Sequence, residues 1–236
     1  MAELQLASLT GLPIEGIKAL VPTVVTYDGS TGKLWLGRDG AVIDMDWKQA
    51  LLLAGQCYSF TVGTLSTGIV GGGNGTILDI DQPEFLIYIP TGTAIMPLRM
   101  AIQGLSADAV ADHSVLQALI ALGEVAWDGT GTATTEVAYN MNRGSSLASA
   151  CSCRSAFTAD ITTAPVHLQD LARAEVKIDL PANGETPIIL DLLYEPDPSP
   201  LIVGPATITG YWGGTSAVTG YAQVSYIEFT KNRVTA

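Results

Sequence analysis

The amino-acid sequence predicts a mainly β fold, an antiparallel β-sandwich of jelly-roll type with one or two short helices. Short apolar or alternating segments recur between turns rich in glycine, proline and aspartate, which is typical of sandwiches. Residues 173–180 read Arg-Ala-Glu-Val-Lys-Ile-Asp-Leu, so charged and apolar residues alternate strictly, as on a strand with one solvated face. Helical periodicity is confined to two segments. We therefore expect a single domain over residues 1–236 with an N-terminal extension over about 1–22.

The N-terminal part of the chain carries two predicted elements before the main strands begin. Apolar segments at 23–27 and 33–36 flank an Asp-Gly-Ser-Thr-Gly turn, which predicts a β-hairpin. Asp46 can cap a helix over residues 47–54, and Gly55 is suited to end it. We therefore expect a hairpin followed by a short helix.

The middle of the chain combines clear strands with one ambiguous segment. The run Phe-Leu-Ile-Tyr-Ile at 85–89 predicts a buried strand, and residues 98–103 predict an alternating one. Residues 106–122 have leucine and isoleucine at helical spacing and predict a second helix, although a strand over 114–122 fits the same residues. The turn at 128–131 lies between two strand-like segments and predicts a second hairpin.

The C-terminal part predicts strands joined by a proline-rich connection. Residues 188–194 are almost continuously apolar, which is typical of a strand covered on both faces. The sequence Glu-Pro-Asp-Pro-Ser-Pro at 195–200 cannot pair as a central strand and predicts an extended crossover. In the closing strand, residues 221–229, the apolar side chains change face near Tyr226, which predicts a β-bulge there.

The chain is rich in apolar residues and carries few charged ones. Hydrophobic residues make up 47% of it and charged residues 14%, against roughly 25% charged in ordinary soluble domains. So few charges predict a surface covered by other protein copies, and we expect a homo-oligomer. The net charge of -12 argues against binding to nucleic acid or to anionic membranes, which both need basic patches. No segment predicts a signal peptide or a membrane span.

The sequence lacks a convincing catalytic or zinc-binding pattern. The chain has two histidines, His113 and His167, and no Gly-x-Ser-x-Gly nucleophile motif, so a hydrolytic triad is not expected. The cysteines, Cys57, Cys151 and Cys153, are odd in number and lack paired zinc spacing. We therefore expect reduced thiols in a protein made in a cytoplasm, with no enzymatic activity.

The glycine-rich segment 210–220 carries two adjacent aromatic residues, Tyr211 and Trp212. Large aromatic side chains on a glycine-rich hairpin are typical of interface anchors, and they also fold back over the edge of a sandwich. A third interpretation is a platform on which sugar rings stack. The sequence therefore predicts Tyr211 and Trp212 as contact residues, with core cover and glycan binding as the other interpretations.

Two further segments predict contacts or ligands. Gly71, Gly72 and Gly73 lack the lysine and hydroxyl residue of a phosphate-binding loop, so we expect a flexible loop packed under a neighbouring subunit. Asp79 and Asp81 are two residues apart, which places both carboxylates on one side of an extended chain. Such a pair can hold calcium together with carbonyl oxygens, although it does not follow the EF-hand pattern. We therefore expect no cofactor, with calcium at Asp79 and Asp81 as the alternative.

The loops are long and rich in threonine, glycine and alanine, and they are accompanied by the crossover Pro196–Pro200 and the closing strand Tyr221–Phe229. In these features the chain resembles the β-sandwich coat and decoration proteins of icosahedral viruses and bacteriophages. The resemblance implies a jelly-roll or related sandwich, self-assembly with other shell proteins in a virion, and no catalysis. Residues 1–19 hold a single lysine, unlike the basic arm of coat proteins that package RNA. A DNA phage shell, or an outer decoration or spike-base role, therefore fits better.

Two other classes of function remain open. A carbohydrate-binding module or adhesin head would use Tyr211 and Trp212 for stacking, with calcium held by Asp79 and Asp81. An enzyme on a sandwich, such as a cupin, would need a histidine-rich metal motif, which two isolated histidines do not supply. The sequence therefore favours a structural shell protein, with a glycan-binding module as the alternative.

Overall fold

The strands of this chain form a two-sheet β-sandwich. The structure, a computed structural model, describes residues 23–25, 31–33, 47–64, 66–71, 78–106, 115–124, 132–161, 166–177, 189–215 and 217–230. By its internal packing the chain divides into two units, Met1–Ala50 and Leu51–Ala236. All strands of the sandwich belong to the second unit. The single domain predicted over residues 1–236, with its extension over about 1–22, stays a prediction.

The described elements of the first unit include the predicted hairpin. Strands β1 (Thr23–Val25) and β2 (Thr31–Lys33) pair antiparallel, which confirms a hairpin, although β2 begins within the predicted turn and residues 34–36 lie outside the described residues. Helix α1 (Trp47–Leu53) begins in this unit and ends in the second, close to the predicted bounds. Gly55 has a positive φ of 72° and donates its N–H to the Leu52 carbonyl, so it ends the helix as glycine commonly does. The proposed cap, Asp46, lies outside the described residues.

The second unit has the strand order of a jelly roll. Among the described residues, eight strands have five or more residues: β3 (Cys57–Val62), β5 (Phe85–Ile89), β6 (Thr93–Ser106), β7 (Val115–Glu124), β11 (Val166–Lys177), β12 (Ile189–Tyr194), β14 (Ala206–Gly214) and β15 (Val218–Thr230). Counted in chain order, they lie as first-eighth-third-sixth in one sheet and second-seventh-fourth-fifth in the other. This antiparallel arrangement of eight strands in two sheets confirms the predicted sandwich of jelly-roll type.

Five further short strands of the second unit are described: β4 (Ile69–Val70), β8 (Thr134–Glu136), β9 (Tyr139–Asn140), β10 (Ser152–Ser155) and β13 (Ile202–Val203). Strand β4 pairs with β15 on the same side as β3, and β13 pairs with β6 on the same side as β12. Strands β10 and β8 continue the six-stranded sheet beyond β5, whereas β9 continues the seven-stranded sheet beyond β3. The insertion between β7 and β11 therefore covers the edges of both sheets on this side, and β11 and β12 are the end strands on the other.

The core is filled by alternate side chains of both sheets. Among the large side chains with no exposed surface are Phe85, Ile87, Met100, Ile102, Leu116, Ile120, Trp212 and Tyr226. Burial of one such side chain stabilises the fold by roughly 1.5–3 kcal/mol. The bulge predicted near Tyr226 is confirmed, because the register between β15 and β6 shifts between Ser225 and Tyr226. Ala222, Val224 and Tyr226 all face the core, as the pattern indicates.

Two predictions of local structure are wrong. Residues 115–122 form part of strand β7, so the second helix predicted over 106–122 is wrong and the alternative strand over 114–122 is confirmed for these residues. Strand β7 is buried on both faces: Leu116 and Ile120 point into the core, and Leu119 packs under Tyr211. Strand β12 has one exposed face, not two covered ones, because it lies on the open outer face of the seven-stranded sheet, where Leu105 and Tyr221 of the interior strands are exposed as well. Residues 125–131, which hold the turn and most of the first strand of the second predicted hairpin, lie outside the described residues, so that hairpin stays a prediction.

Candidate interaction surface

The outer face of the seven-stranded sheet carries a row of apolar side chains. Ile189 lies opposite Leu105, Leu105 lies opposite Thr219, and Thr219 lies opposite Val70. Ile189, Leu105 and Val70 are 71%, 48% and 62% exposed. We call these four residues the apolar row. Because neighbouring strands are about 4.8 Å apart, it spans roughly 14 Å across four strands.

Few charges interrupt this face. Two residues along each strand from the apolar row, on the same face, Asp191, Gln103 and Tyr221 lie side by side on β12, β6 and β15. Further along, Arg99 forms an ion pair with Glu195 at 3.0 Å, with both side chains half-exposed. An exposed pair of this kind contributes roughly 0–1 kcal/mol and leaves the face nearly neutral. The face therefore combines exposed apolar area with a low charge, as the composition predicts for a surface that meets protein.

Next to the apolar row, Tyr221 lines a shallow concavity of about 390 Å³. The tyrosine is 41% exposed, and its ring rests on glycine backbone: a Cβ on Gly63 would lie 2.9 Å from its Cδ1. Amides, a hydroxyl and a guanidinium line the concavity, from Gln103, Gln223, Thr61 and Arg99. A supported aromatic ring beside several hydrogen-bonding groups can hold a ligand that has one apolar and one polar side.

Tyr211 and Trp212, the aromatic residues that the sequence predicts as contacts, lie inside the subunit. They belong to β14, a central strand of the six-stranded sheet, and are 4% and 0% exposed. Trp212 points into the core, whereas Tyr211 is covered on the outer side and donates its hydroxyl to the Ile80 carbonyl at 3.1 Å. Residues 210–220 also do not form a hairpin, because β14 and β15 belong to different sheets. This corrects the interpretation as an exposed aromatic loop and leaves core cover as the role of both rings.

The glycine run contributes to the same buried cluster. Gly71 donates its N–H to the Val218 carbonyl at 2.8 Å, and a Cβ there would overlap the Trp212 carbonyl oxygen. Gly71 is therefore required where two backbones approach closely, within the subunit. Gly72 and Gly73 lie outside the described residues, and the flexible loop predicted for them stays a prediction.

Asp79 and Asp81 lie in a turn, not on an extended segment. The Asp79 carboxylate accepts a hydrogen bond from the Asp81 N–H at 3.2 Å, and Gln82 donates its N–H to the Asp79 carbonyl. Within the described ranges, no group of three or more His, Cys, Asp or Glu residues is placed to hold a metal. The turn therefore explains the position of Asp79 without an ion, and calcium at this pair stays a prediction.

The three cysteines are free and buried. Burial raises the pKa of Cys57 to about 11 and that of Cys153 to about 12, and it also raises the pKa of Cys151, with a further contribution from Glu228. The Cys153 thiol lies 3.8 Å from the Tyr226 hydroxyl, which is hydrogen-bonded to Ser149 at 2.8 Å. Thiols that stay protonated at neutral pH are poor nucleophiles and metal ligands, so these cysteines act as small core residues.

Of the two histidines, His167 is the one that the structure describes. His167 lies at the exposed start of β11, 2.7 Å from Asp170, which also pairs with Arg173. His113 lies outside the described residues. Within the described ranges, no helix has the length and hydropathy of a membrane span.

The sequence alone does not predict the exposed features of this face. It indicates Tyr221 only as a strand residue, and Val70, Leu105 and Ile189 are far apart in it. The strand register alone brings the three together, so a pattern within one segment could not identify the row.

Comparison with known proteins gives no match to a family model, a curated protein or a solved structure.

Proposed function

We propose that this chain is a structural subunit of a virus or bacteriophage particle, either in the capsid shell or as a decoration subunit. Its partners are further copies and other shell proteins, it is made in the host cytoplasm, and it has no catalytic role. The observation that carries the proposal is the apolar row, which exposes large side chains on a face of low charge. Contact with a second copy would bury this area.

Two further observations support this proposal. Jelly rolls are one of the architectures from which capsids are built, although lectin domains and cupins share it, so the fold alone does not decide. The net charge of -12 disfavours direct contact with nucleic acid, which suits a subunit whose contacts are to protein. Location in the virion follows from the proposed role.

We expect Leu105→Thr and Ile189→Thr to weaken self-association, each by about tenfold or more, because each removes a large apolar side chain from the contact. Threonine keeps the strand propensity, so thermal unfolding of the variants should match that of the native chain. Sedimentation velocity over a range of concentrations, with negative-stain imaging of the same samples, measures the effect. Val137→Thr is the matched control, since Val137 is equally exposed but lies outside the row.

A native chain that sediments as a monomer at every concentration, alone and with the other shell proteins of its particle, contradicts the proposal. The same samples treated with EDTA test the predicted calcium. If EDTA abolishes assembly of the native chain, and Asp79→Asn fails to assemble even without EDTA, the ion is assigned to the turn at Asp79 and Asp81.

The concavity at Tyr221 favours a second candidate function, the binding of a glycan. The glycan would stack on Tyr221 and receive hydrogen bonds from Gln103, Gln223 and Arg99. This places the glycan hypothesis on a different residue from Tyr211 and Trp212, which are buried.

We expect Tyr221→Ala to abolish glycan binding in titrations against a panel of oligosaccharides, because it removes the stacking surface. Tyr139→Ala, which removes another exposed tyrosine, should bind as the native chain does. If the native chain binds no member of the panel, or if Tyr221→Ala binds equally well, this second candidate is wrong.

A further inference from the structure

Strand β11 is the end strand of the six-stranded sheet, on the side that the insertion does not reach. Its inner neighbour is β7, and no other strand among the described residues pairs with it. An end strand presents a row of backbone N–H and carbonyl groups that can pair with another strand. On the opposite side, β8, β9 and β10 cover the corresponding edges. The fold therefore leaves β11 as an edge that a partner strand can extend.

The two halves of β11 differ in regularity. The register against β7 shifts between His167 and Gln169 and again between Asp170 and Ala172. From Ala172 to Lys177 the pairing is one-to-one. Irregularities of this kind bend a strand and end regular pairing, so the first half is a poor template. A partner strand therefore has six regular residues to pair with.

The regular half is complementary to itself. Arg173, Glu175 and Lys177 are exposed on the outer face and alternate in sign, whereas Ala174 and Val176 are partly buried on the core face. When a strand pairs antiparallel with its own copy about a two-fold axis perpendicular to the sheet, outer residues lie opposite outer residues. An axis through Ala174 then places Arg173 of each copy opposite Glu175 of the other. An axis through Glu175 would place Arg173 opposite Lys177 and Glu175 opposite itself, which is repulsive.

We propose that Ala172–Val176 of β11 pairs antiparallel with the same segment of a second copy, about a two-fold axis through Ala174. The contact joins two six-stranded sheets into one continuous sheet. It specifies one of the subunit contacts of the proposed shell function and therefore rests on that proposal. It does not use the apolar row, which lies on the outer face of the other sheet.

The charged side chains that the contact needs are exposed, and within the single subunit they make only surface ion pairs and hydrogen bonds. Arg173 pairs with Asp170 at 3.1 Å, and Glu175 pairs with Lys177 at 2.9 Å and accepts a hydrogen bond from Gln117 at 2.7 Å. These are surface interactions within the chain, and such pairs are worth little in water. They can be exchanged for cross-strand pairs without leaving a buried charge unpaired.

Charge reversal tests the contact. Glu175→Lys makes the outer row entirely positive, and Arg173→Glu places like charges opposite each other, so we expect each to weaken dimerisation by about tenfold or more. The exchange Arg173→Glu with Glu175→Arg restores opposite charges and should restore the dimer. An equimolar mixture of the two single variants should form a heterodimer, since each supplies the charge that the other lacks. Sedimentation velocity measures all four samples, with thermal unfolding to check that each variant folds.

A separate variant, Lys177→Gln, tests the register in which the two copies of β11 pair. With the axis through Ala174, Lys177 lies opposite Leu171, so Lys177→Gln should dimerise as the native chain does. Loss of the dimer in Lys177→Gln overturns the register through Ala174. Assembly that is unchanged in both charge reversals, or that the exchange does not restore, overturns the β11 contact while the proposed shell function stands. A native chain that is monomeric throughout overturns the shell function itself.

Discussion

We expect Gly210→Ala to destabilise the subunit by about 3 kcal/mol, at the upper end of the range for an overpacked core. Gly210 lies on the core side of β14, directly opposite Phe85 of β5. A Cβ at this position would overlap the ring of Phe85, which has no exposed surface and packs edge-on against Phe60 with ring centroids 6.3 Å apart. Because the ring is fully buried, it can move only by displacing its neighbours or by separating the strands. Urea unfolding followed by circular dichroism measures the loss.

Gly144→Ala is the matched control for this substitution. Gly144 is exposed, and a Cβ there would come no closer than 3.4 Å to the Asn142 side chain, so its free energy of unfolding should change by less than about 0.5 kcal/mol. Combining Gly210→Ala with Phe85→Leu should cost less than the sum of the two single changes, because the smaller side chain relieves the overlap. Additive losses in this double-mutant cycle would show that the ring of Phe85 is not the obstacle.

Local patterns predict those strands whose burial alternates along the chain. Residues 85–89 form β5 with the predicted bounds, and residues 173–177 alternate between exposed and partly buried positions as their charges indicate. The bulge near Tyr226 can also be predicted from one segment, because the spacing of its apolar residues shows where the side chains change face. Each of these features depends only on which side chains of a single segment are buried and which are exposed to solvent.

The errors arise where a second layer covers a strand or where a partner is distant. Strand β7 is apolar on both faces because Tyr211 and Leu78 cover Leu119 and Ala121 from outside, and this continuous pattern also fits a helix. Strand β12 is similarly apolar, but its outer face is open to solvent, where Ile189 and Leu193 are exposed. Which face of a sheet a second layer covers depends on the topology, and no single segment shows it.

The candidate site was mispredicted for a related reason. The glycines around Tyr211 and Trp212 predict a hairpin that presents both rings, yet in the structure two of them make room for rings. Gly210 accommodates Phe85, and Gly220 lies against the indole of Trp212, where a Cβ would be 2.7 Å from Nε1. A glycine that provides space for a distant side chain and a glycine in a turn are identical in the sequence. Only the strand register distinguishes them.

The second large effect concerns Trp212. We expect Trp212→Ala to destabilise the subunit by about 3–5 kcal/mol, because it removes a fully buried ring and leaves a cavity between the sheets. Trp47→Ala is the matched control: Trp47 is 47% exposed on helix α1, and its loss should change the free energy of unfolding by less than about 0.5 kcal/mol. Equal losses in the two variants would contradict the assignment of Trp212 as a core residue.

The smaller change Trp212→Phe connects the core to the proposed contact surface. The indole Nε1 donates a hydrogen bond to the carbonyl of Ile69 at 3.2 Å, and Ile69 precedes Val70 of the apolar row. Phenylalanine fills most of the space but leaves this carbonyl without its donor, which costs roughly 1–3 kcal/mol when the group is buried. Strand β4 should then be held less firmly against β15, so Trp212→Phe should weaken self-association although the side chain never reaches the surface. Association equal to that of the native chain, measured by sedimentation velocity well below the unfolding temperature, would show that Trp212 supports the fold and not the contact.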